Sequence, residues 1–229
     1  MADSLHDPRA VLAAGTTQFL NTTLHVIPGT LVPRPETELL AQTVLDTLAA
    51  MNPPAHIAID ACCGVGNIGI VMALKNPTLK IFSSDLTDPC FAATQQNIAH
   101  HRLESQITAL QGDLFAPLAP YSLNGKVDLI ACNPPYISTS RLAGDSAHLL
   151  ANEPREAFDA GPYGMAIHSR VINEAPALLK PNAFLLFEFG LGQHKQLDLL
   201  FKRSRVFKEV TLFHNAANEP RVARARYVP

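Results

Sequence analysis

The stretch His56-Ile57-Ala58-Ile59-Asp60-Ala61-Cys62-Cys63-Gly64-Val65-Gly66-Asn67-Ile68-Gly69 joins an apolar run to three glycines and the start of a helical pattern. The run His56–Ala61 has the length and apolar content of a buried strand, and Ile68–Lys75 continues as a helix. Glycines between a strand and a helix permit a tight turn and let a ligand approach the backbone closely. The segment therefore predicts a strand–turn–helix unit with a ligand at the turn.

The same alternation continues along the chain. Further strands are predicted at Leu79–Ser84, Gln106–Leu110, Val127–Cys132 and Ala183–Phe189, and further helices at Asp88–Arg102, Met165–Leu179 and Gln193–Lys202. Strands that alternate with helices favour a parallel sheet with helices on both faces. The last two runs, Val206–Phe213 and Arg221–Val228, leave no room for a crossover helix, so we expect them to pair antiparallel.

The first 52 residues depart from this rhythm. Residues 1–16 show little pattern and are expected to form a loose lead-in. Phe19–Val32 alternates weakly around Ile27-Pro28-Gly29-Thr30, which predicts a β-hairpin. A helix is predicted to begin at Pro35-Glu36-Thr37-Glu38 and to end at Asn52-Pro53-Pro54. We therefore expect residues 1–52 to pack as lead-in, hairpin and helix on one globular domain formed by residues 53–229.

Composition limits the class of protein. A chain of 229 residues that is 47% hydrophobic and 17% charged is typical of one α/β domain with a substantial core. The sequence lacks both a long apolar stretch and the pattern of a secretory signal, so we expect no membrane segment and a cytoplasmic location. Its four cysteines show no C-x-x-C spacing, which indicates neither a zinc site nor a disulfide framework, and no metal is expected.

The charge distribution bears on possible partners. A net charge of −2 argues against a dedicated nucleic-acid binder. Residues 191–229 nevertheless carry eight Lys and Arg against three acids. A solvated basic edge is favoured there over an RNA-facing patch.

Polar residues follow the next two predicted strands. Asp85 ends the second strand, where a carboxylate can accept hydrogen bonds from both ribose hydroxyls of an adenosine group. Asp113, after the third strand, is placed to accept from an adenine amine, and Leu114 to pack on the ring. Ligands of open parallel sheets bind beyond the carboxyl ends of the strands. No Lys-Ser/Thr follows the glycines, which excludes a phosphate-binding P-loop.

The tetrapeptide Asn133-Pro134-Pro135-Tyr136 follows the fourth strand. Prolines lack N–H groups and have a fixed φ, so their carbonyls are held rigidly and stay free to accept hydrogen bonds. With the Asn133 side-chain oxygen, they can hold an NH₂ group while Tyr136 stacks on the flat group that carries it. Such a holder suits an amide, a base amine or a guanidine nitrogen. Beside an adenosine ligand, it fits methyl transfer from S-adenosylmethionine.

With these motifs the chain resembles the HemK/PrmC family of class I methyltransferases, which methylate the side-chain amide of glutamine in proteins. The resemblance covers roughly residues 19–227 and rests on Leu31-Val32-Pro33-Arg34-Pro35-Glu36-Thr37-Glu38, residues 60–69, Asp85, residues 133–136, Glu153-Pro154-Arg155-Glu156-Ala157-Phe158 and Phe187-Glu188-Phe189-Gly190. It implies a Rossmann-like α/β fold. The expected sheet is seven-stranded and mostly parallel, with an antiparallel last strand, helices on both faces and a short N-terminal hairpin.

The resemblance also implies which residues form the site. S-adenosylmethionine is expected to contact Asp60, Cys62, Gly64, Gly66, Asp85, Leu86, Asp113, Leu114 and Asn133. Asn133, Pro134 and Tyr136 are expected to carry the reaction, and the acceptor to contact Arg34, Glu36, Pro135, Tyr136 and Glu153. Glu36 and Glu38 are expected either to favour the dipole of the helix in whose first turn they lie, or to form a lid over the acceptor pocket with Arg34 paired to one of them. No general base is required, and His168, His100 and His101 are expected at the surface or at helix caps.

The sequence departs from the family at three places. About 30 residues precede the Arg-Pro-Glu-Thr-Glu element, where the family's bacterial release-factor enzymes carry a helical domain that docks the protein substrate. Cys62 replaces an early glycine of the cofactor loop, and Leu114 stands where the family often has an aromatic residue. The first departure concerns how the acceptor docks, and the other two concern the wall of the cofactor site.

A protein glutamine, of release-factor type, is the preferred acceptor. The first alternative is a small molecule such as an amino acid or a guanidine, for which Glu153 and Glu156 would bind a cationic group. The second is a base amine of RNA or DNA, which the basic C-terminal stretch favours and the overall acidity opposes. The third alternative is that the protein is a partner subunit that binds S-adenosylmethionine and has no catalytic activity. The intact Asn133–Tyr136 element argues against this alternative.

Overall fold

The computed structural model describes residues 7–229. Within this range the strands are β1 Thr16–Phe19, β2 Thr22–His25, β3 Ile57–Ala61, β4 Lys80–Asp85, β5 Ile107–Gln111, β6 Val127–Cys132, β7 Leu179–Glu188, β8 Phe207–His214 and β9 Pro220–Tyr227. The α-helices are α1 Pro8–Ala14, α2 Thr37–Ala50, α3 Asn67–Lys75, α4 Asp88–His100, α5 Thr139–Ala143, α6 Ala166–Glu174 and α7 His194–Ser204. Each predicted strand and helix of the domain is present, with ends shifted by a few residues.

The main sheet of the described chain has seven strands in the order β5-β4-β3-β6-β7-β9-β8. Strands β3 to β7 run parallel, and β9 pairs antiparallel with both β7 and β8. The expected antiparallel last strand is thereby confirmed. It lies between β7 and β8, a position that the sequence pattern did not specify.

Helices cover both faces of this sheet, as expected. Neighbouring residues of one strand point to opposite faces, and Leu129 and Ile130 of β6 accordingly belong to different apolar clusters. One cluster joins the sheet to the hairpin, α2, α3 and α4, and the other joins it to α6 and α7. Central strands such as β3 and β6 are therefore buried on both sides, which explains their continuous apolar runs, whereas the edge strand β8 is largely exposed.

The N-terminal region contains a helix that the sequence analysis missed. Helix α1 is capped by Asp7, whose side chain accepts from the Arg9 amide, and it ends at Gly15 in the left-handed region. Asp-Pro at the start and Gly at the end are ordinary helix boundary signals, but the seven-residue segment is too short to show periodicity. The expectation of a loose lead-in is therefore wrong for residues 8–14, and residues 1–6 lie outside the described part.

The predicted hairpin is confirmed, but the position of its turn was wrong. Strands β1 and β2 turn at Leu20 and Asn21, whose φ values of 44° and 59° match the type I′ turn that two-residue hairpins favour. The segment 27–30 forms a separate turn, in which the Thr30 amide donates to the Ile27 carbonyl. The Pro28-Gly29 pair correctly indicated a turn. Leucine rarely adopts a left-handed backbone conformation, so Leu20 did not indicate the turn of the hairpin.

Two other segments refine the expectations. Helix α6 ends at Glu174 and gives way to a 3₁₀ turn, Ala175–Ala177, so the predicted helix 165–179 is too long. The polar stretch 137–164 contains α5 and the 3₁₀ turns Ala147–Ala151 and Arg155–Ala157.

The division into residues 1–52 and 53–229 stays a prediction. Among residues 7–229, no helix combines the length and apolarity needed to cross a membrane.

Candidate active site

The carboxyl ends of the central strands lie level with one another. Ala61 of β3 pairs with Ser84 of β4 and with Cys132 of β6, and Cys132 in turn pairs with Phe187 of β7. Because these residues end or nearly end their strands, the segments that follow them meet along one edge of the sheet. The residues singled out from the sequence are therefore brought together.

Two cavities open at this edge. The glycine-loop cavity, of about 300 Å³, contains on its wall most of the residues expected to bind the cofactor: Cys62, Gly64, Asp85, Leu86, Asp113, Leu114 and Asn133. The Tyr136 cavity, of about 650 Å³, is lined by Arg34, Glu36, Thr37, Asn133, Pro134, Tyr136, Glu153, Glu188 and Arg221, among others. Asn133 lines both cavities, so its side chain stands where they meet.

The glycine turn supplies the backbone of the first cavity. Gly64 has a φ of +57°, and a Cβ built on it meets no protein atom within 4 Å, so this part of the wall is open. Cys62 has a φ of +55°, a conformation that favours glycine. The backbone thus explains why a glycine is expected at residue 62, and shows that cysteine is accommodated there with strain.

Asp60 and Gly66 do not line the glycine-loop cavity. Asp60 Oδ2 accepts from the Gly69 amide at 2.7 Å, and the side chain is fully buried beneath the turn. This burial raises the pKa of Asp60 to about 7. A Cβ on Gly66 would lie 3.1 Å from Thr94 Cγ2, so this glycine permits close packing on α4. Both residues shape the loop from behind.

Asp85 faces the cavity and also holds the loop. Its Oδ2 accepts from the Gly64 amide at 2.8 Å. Burial raises the pKa of this carboxyl, and the Gly64 amide acts in the opposite direction. Leu86 beside it is 56% exposed, although leucine is apolar, and it forms an apolar wall of the cavity.

Asp113 and Leu114 complete this wall. Asp113 Oδ1 pairs with Arg170 at 2.9 Å, and its side chain is about half exposed. Leu114 is buried with a φ of +47°. The carboxylate expected to accept from an adenine amine is therefore already shared with an arginine on α6.

At the junction, Asn133 is oriented by a residue of α2. Asn133 Nδ2 donates to Thr37 Oγ1 at 3.1 Å. No group within residues 7–229 donates to Asn133 Oδ1 or to the Pro134 carbonyl. Two rigid acceptors therefore remain free at the point where the cavities meet.

Tyr136 is held by a buried ion pair. Its hydroxyl donates to Glu188 Oε1 at 3.0 Å and accepts from Arg221 at 3.2 Å, while Arg221 lies 3.5 Å from Glu188. Burial and the nearby Glu188 carboxylate raise the pKa of Tyr136 well above its ordinary value. Burial likewise raises the pKa of Glu188. The ring is thus fixed at the wall of the Tyr136 cavity.

Arg34 pairs with Glu153, and the expected pairing with Glu36 or Glu38 was wrong. The guanidinium bonds Glu153 Oε2, and Glu153 Oε1 accepts from the Val32 amide at 2.9 Å. Glu38 instead accepts from the Leu20 amide, and Glu36 lines the cavity. The chain folds residue 153 onto the N-terminal segment, a contact that local sequence could not indicate.

Three residues that support the site were assigned no role from the sequence, Thr37, Glu188 and Arg221, and a fourth, His168, was assigned a wrong one. The sequence contains one indication of a role for Glu188, because an acidic residue at the end of a buried apolar strand is unusual. His168 is fully buried, which lowers its pKa to about 4, and its Nε2 donates to the Glu188 carbonyl at 2.8 Å. A surface or cap role was therefore wrong for His168, whereas His100 and His101 do end α4.

The cavities lack an obvious metal centre. Among the described residues, no group of three or more His, Cys, Asp and Glu side chains could hold a metal ion. The chemistry of the site rests on carboxylate, amide and carbonyl oxygens, a phenol ring and apolar walls.

Comparisons with known proteins point to one family. The family model for the Methyltransferase small domain matches residues 35–163. A release factor glutamine methyltransferase of Clostridium botulinum (strain Hall) is 31% identical over 212 residues, 93% of this chain and 73% of that protein. A protein of the same name from Nitratidesulfovibrio vulgaris (strain Hildenborough) is 34% identical, over 82% of this chain and 61% of its own length. The hMettl16 catalytic domain in complex with a MAT2A 3'UTR hairpin matches with a TM-score of 0.67 at 15% identity, covering 97% of this chain and 84% of that one.

The sheet order and the structural match show a Rossmann-like fold, and the family model and the relatives identify an S-adenosylmethionine-dependent methyltransferase. The sequence matches narrow this class. The chain belongs to the release factor glutamine methyltransferase family, so the resemblance to the HemK/PrmC family is confirmed.

The residues present fit the cofactor of this family. The open wall at Gly64 leaves room for a ligand against the backbone. Asp85 offers a carboxylate of the kind that binds ribose hydroxyls, and Leu86 and Leu114 offer apolar surface for a flat ring.

Proposed function

We propose that this protein transfers a methyl group from S-adenosylmethionine to the side-chain amide nitrogen of a glutamine in a protein substrate of the release-factor type. The names of the two relatives support the choice of acceptor. The observation that carries the proposal is the position of Asn133 at the junction of the two cavities, with its Oδ1 and the Pro134 carbonyl free.

The glycine-loop cavity is assigned to the cofactor. Asp85 accepts from the ribose hydroxyls, Leu86 and Leu114 pack on the adenine, and Cys62 and Gly64 give the backbone wall. Asp113 accepts from the adenine amine while its carboxylate is shared with Arg170. Asp60 and Gly66 act indirectly, since they hold the loop in shape.

The chemistry demands alignment more than activation. When bound, S-adenosylmethionine supplies a strongly electrophilic methyl group. An amide nitrogen is a weak nucleophile because its lone pair is delocalised into the carbonyl. Asn133 Oδ1 and the Pro134 carbonyl accept its two N–H bonds and orient it, and such alignment is worth roughly 7–11 kcal/mol of the barrier. The same acceptors stabilise positive charge as it develops on nitrogen, and the proton leaves afterwards.

The Tyr136 cavity is assigned to the acceptor. Tyr136 stacks on the planar amide and excludes water, and Arg34 and Glu36 form part of the surrounding wall. Pro135, expected to contact the acceptor, lines the glycine-loop cavity instead. Glu153 serves as an anchor, because both of its oxygens are already bonded to Arg34 and to the Val32 amide. A carboxylate so occupied is a poor site for the cationic group of a small molecule.

Methyl transfer with a radiolabelled cofactor tests the proposal. The purified protein is incubated with tritiated S-adenosylmethionine and a bacterial release factor, a ribosomal protein, RNA or a panel of free amino acids. We expect label on the release factor, located to a glutamine side chain by tandem mass spectrometry, and no label when Asn133→Ala replaces the wild type. Label confined to free amino acids or to RNA would overturn the assigned acceptor.

A further inference from the structure

Thr37 contacts the side chain of Asn133, whose oxygen is one of the two free acceptors at the junction of the cavities. It is the first residue of α2, its side chain is buried, and it lines the Tyr136 cavity. Its Oγ1 accepts from Asn133 Nδ2 at 3.1 Å. Residues 37 and 133 are far apart in sequence, so this contact is built by the packing of α2 against the sheet.

The direction of this hydrogen bond matters for the reaction. A carboxamide has an oxygen on one side and an NH₂ group on the other. If the Asn133 side chain were rotated by half a turn, it would present N–H groups to the N–H groups of the acceptor. Only the orientation with Nδ2 on Thr37 leaves an oxygen for the acceptor.

We propose that Thr37 is a positioning residue for methyl transfer: its hydroxyl oxygen accepts from Asn133 Nδ2 and thereby holds Asn133 Oδ1 toward the acceptor nitrogen. This inference rests on the proposed function. It assigns to Thr37 a role in turnover, through the orientation of Asn133, and none in cofactor binding.

A matched pair of variants tests the proposal. Thr37→Val keeps the shape of the side chain and removes the hydroxyl, whereas Thr37→Ser keeps the hydroxyl. Because a misplaced reacting group costs on the order of 100-fold, we expect Thr37→Val to lower kcat by about that factor. Thr37→Ser is expected to restore most of the turnover. The KM for S-adenosylmethionine should stay within about threefold of wild type in both, since this binding is made elsewhere.

The turnover of the two variants, compared with that of wild type, decides whether the hydroxyl of Thr37 is needed. Equal turnover in wild type and Thr37→Val, or equal losses in Thr37→Ser and Thr37→Val, would overturn the proposal.

Nuclear magnetic resonance separates this inference from the proposed function. The side-chain NH₂ resonances of Asn133, identified by their absence in Asn133→Ala, report on the bond to Thr37 without any acceptor. We expect them to shift and exchange faster in Thr37→Val and to stay near wild type in Thr37→Ser. Unchanged resonances in Thr37→Val would refute the positioning role. A wild-type protein that labels no glutamine would refute only the acceptor assignment.

Discussion

The two cavities of the site are built in different ways. The glycine-loop cavity takes its key residues from successive strand ends, each within a few positions of its own strand, as Gly64 follows β3 and Asp85 ends β4. The Tyr136 cavity depends on contacts between distant segments, such as Arg34 with Glu153, 119 positions apart, and Arg221 with Tyr136, 85 apart. Local motifs thus predict the key residues of the cofactor side, although Leu31 and Ile167 also line that cavity, whereas the acceptor side is held by contacts that only the finished fold makes.

This difference predicts two kinds of mutational effect. Changes on the glycine-loop side should alter cofactor affinity or the stability of the loop. Changes on the Tyr136 side should alter turnover while the cofactor still binds. A substitution in the Tyr136 cavity that weakened cofactor binding, or one in the glycine-loop cavity that changed only turnover, would contradict this separation of roles.

The largest effect is expected for Asn133→Ala. It removes the acceptor at the junction of the cavities, so turnover should fall by at least about 10³-fold, while cofactor affinity stays within about threefold. Steady-state kinetics and calorimetry measure the two quantities. Asn124→Ala, an exposed asparagine outside both cavities, is the control. Strong residual turnover in Asn133→Ala would remove this residue from the acceptor role.

Asp60 offers a test of the loop through pH. Burial raises the pKa of Asp60 to about 7, against 3.8 for the ordinary side chain. A raised pKa stabilises the folded state below about pH 4, and this stabilisation is lost as the pH rises toward about 7. Relative to Asp60→Asn, the wild type should lose roughly 3 kcal/mol of unfolding free energy over that range. Chemical denaturation at several pH values measures this, and a constant difference between the two proteins would contradict it.

Asp85→Ala should weaken cofactor binding by about 10- to 100-fold, because it removes a charged hydrogen-bond acceptor. Asp113→Ala is the matched comparison on the same wall. Its carboxylate is half exposed and shared with Arg170, so we expect a loss of about fivefold or less. Calorimetric titration measures both. Equal affinities in wild type and Asp85→Ala would refute the ribose assignment.

The smallest effect concerns Cys62. Its left-handed φ is strained for any residue with a Cβ, so Cys62→Gly should be more stable than Cys62→Ala by about 1 kcal/mol. Both variants lose the thiol, which isolates the backbone contribution. Thermal unfolding of the pair tests this, and a glycine variant less stable than the alanine variant would show that residue 62 is unstrained.

The same contrast explains what the sequence could and could not predict. Strand ends, the glycine turn and Asn133–Tyr136 are local patterns, and each was placed on the correct edge of the sheet. Helix α1 and the Leu20–Asn21 turn were missed because a single short helical segment and a left-handed leucine leave no periodic trace. The partner of Arg34 and the role of Thr37 depend on long-range packing, which no window of sequence contains.

The central claim is that Asn133 and Pro134 present an amide nitrogen to the cofactor. A crystal structure with S-adenosylhomocysteine and a glutamine-containing release-factor peptide tests it most directly. We expect the glutamine amide nitrogen to lie about 3 Å from both Asn133 Oδ1 and the Pro134 carbonyl, facing the sulfur across the junction of the cavities. A glutamine bound elsewhere, or an Asn133 oxygen turned toward Thr37, would contradict the claim.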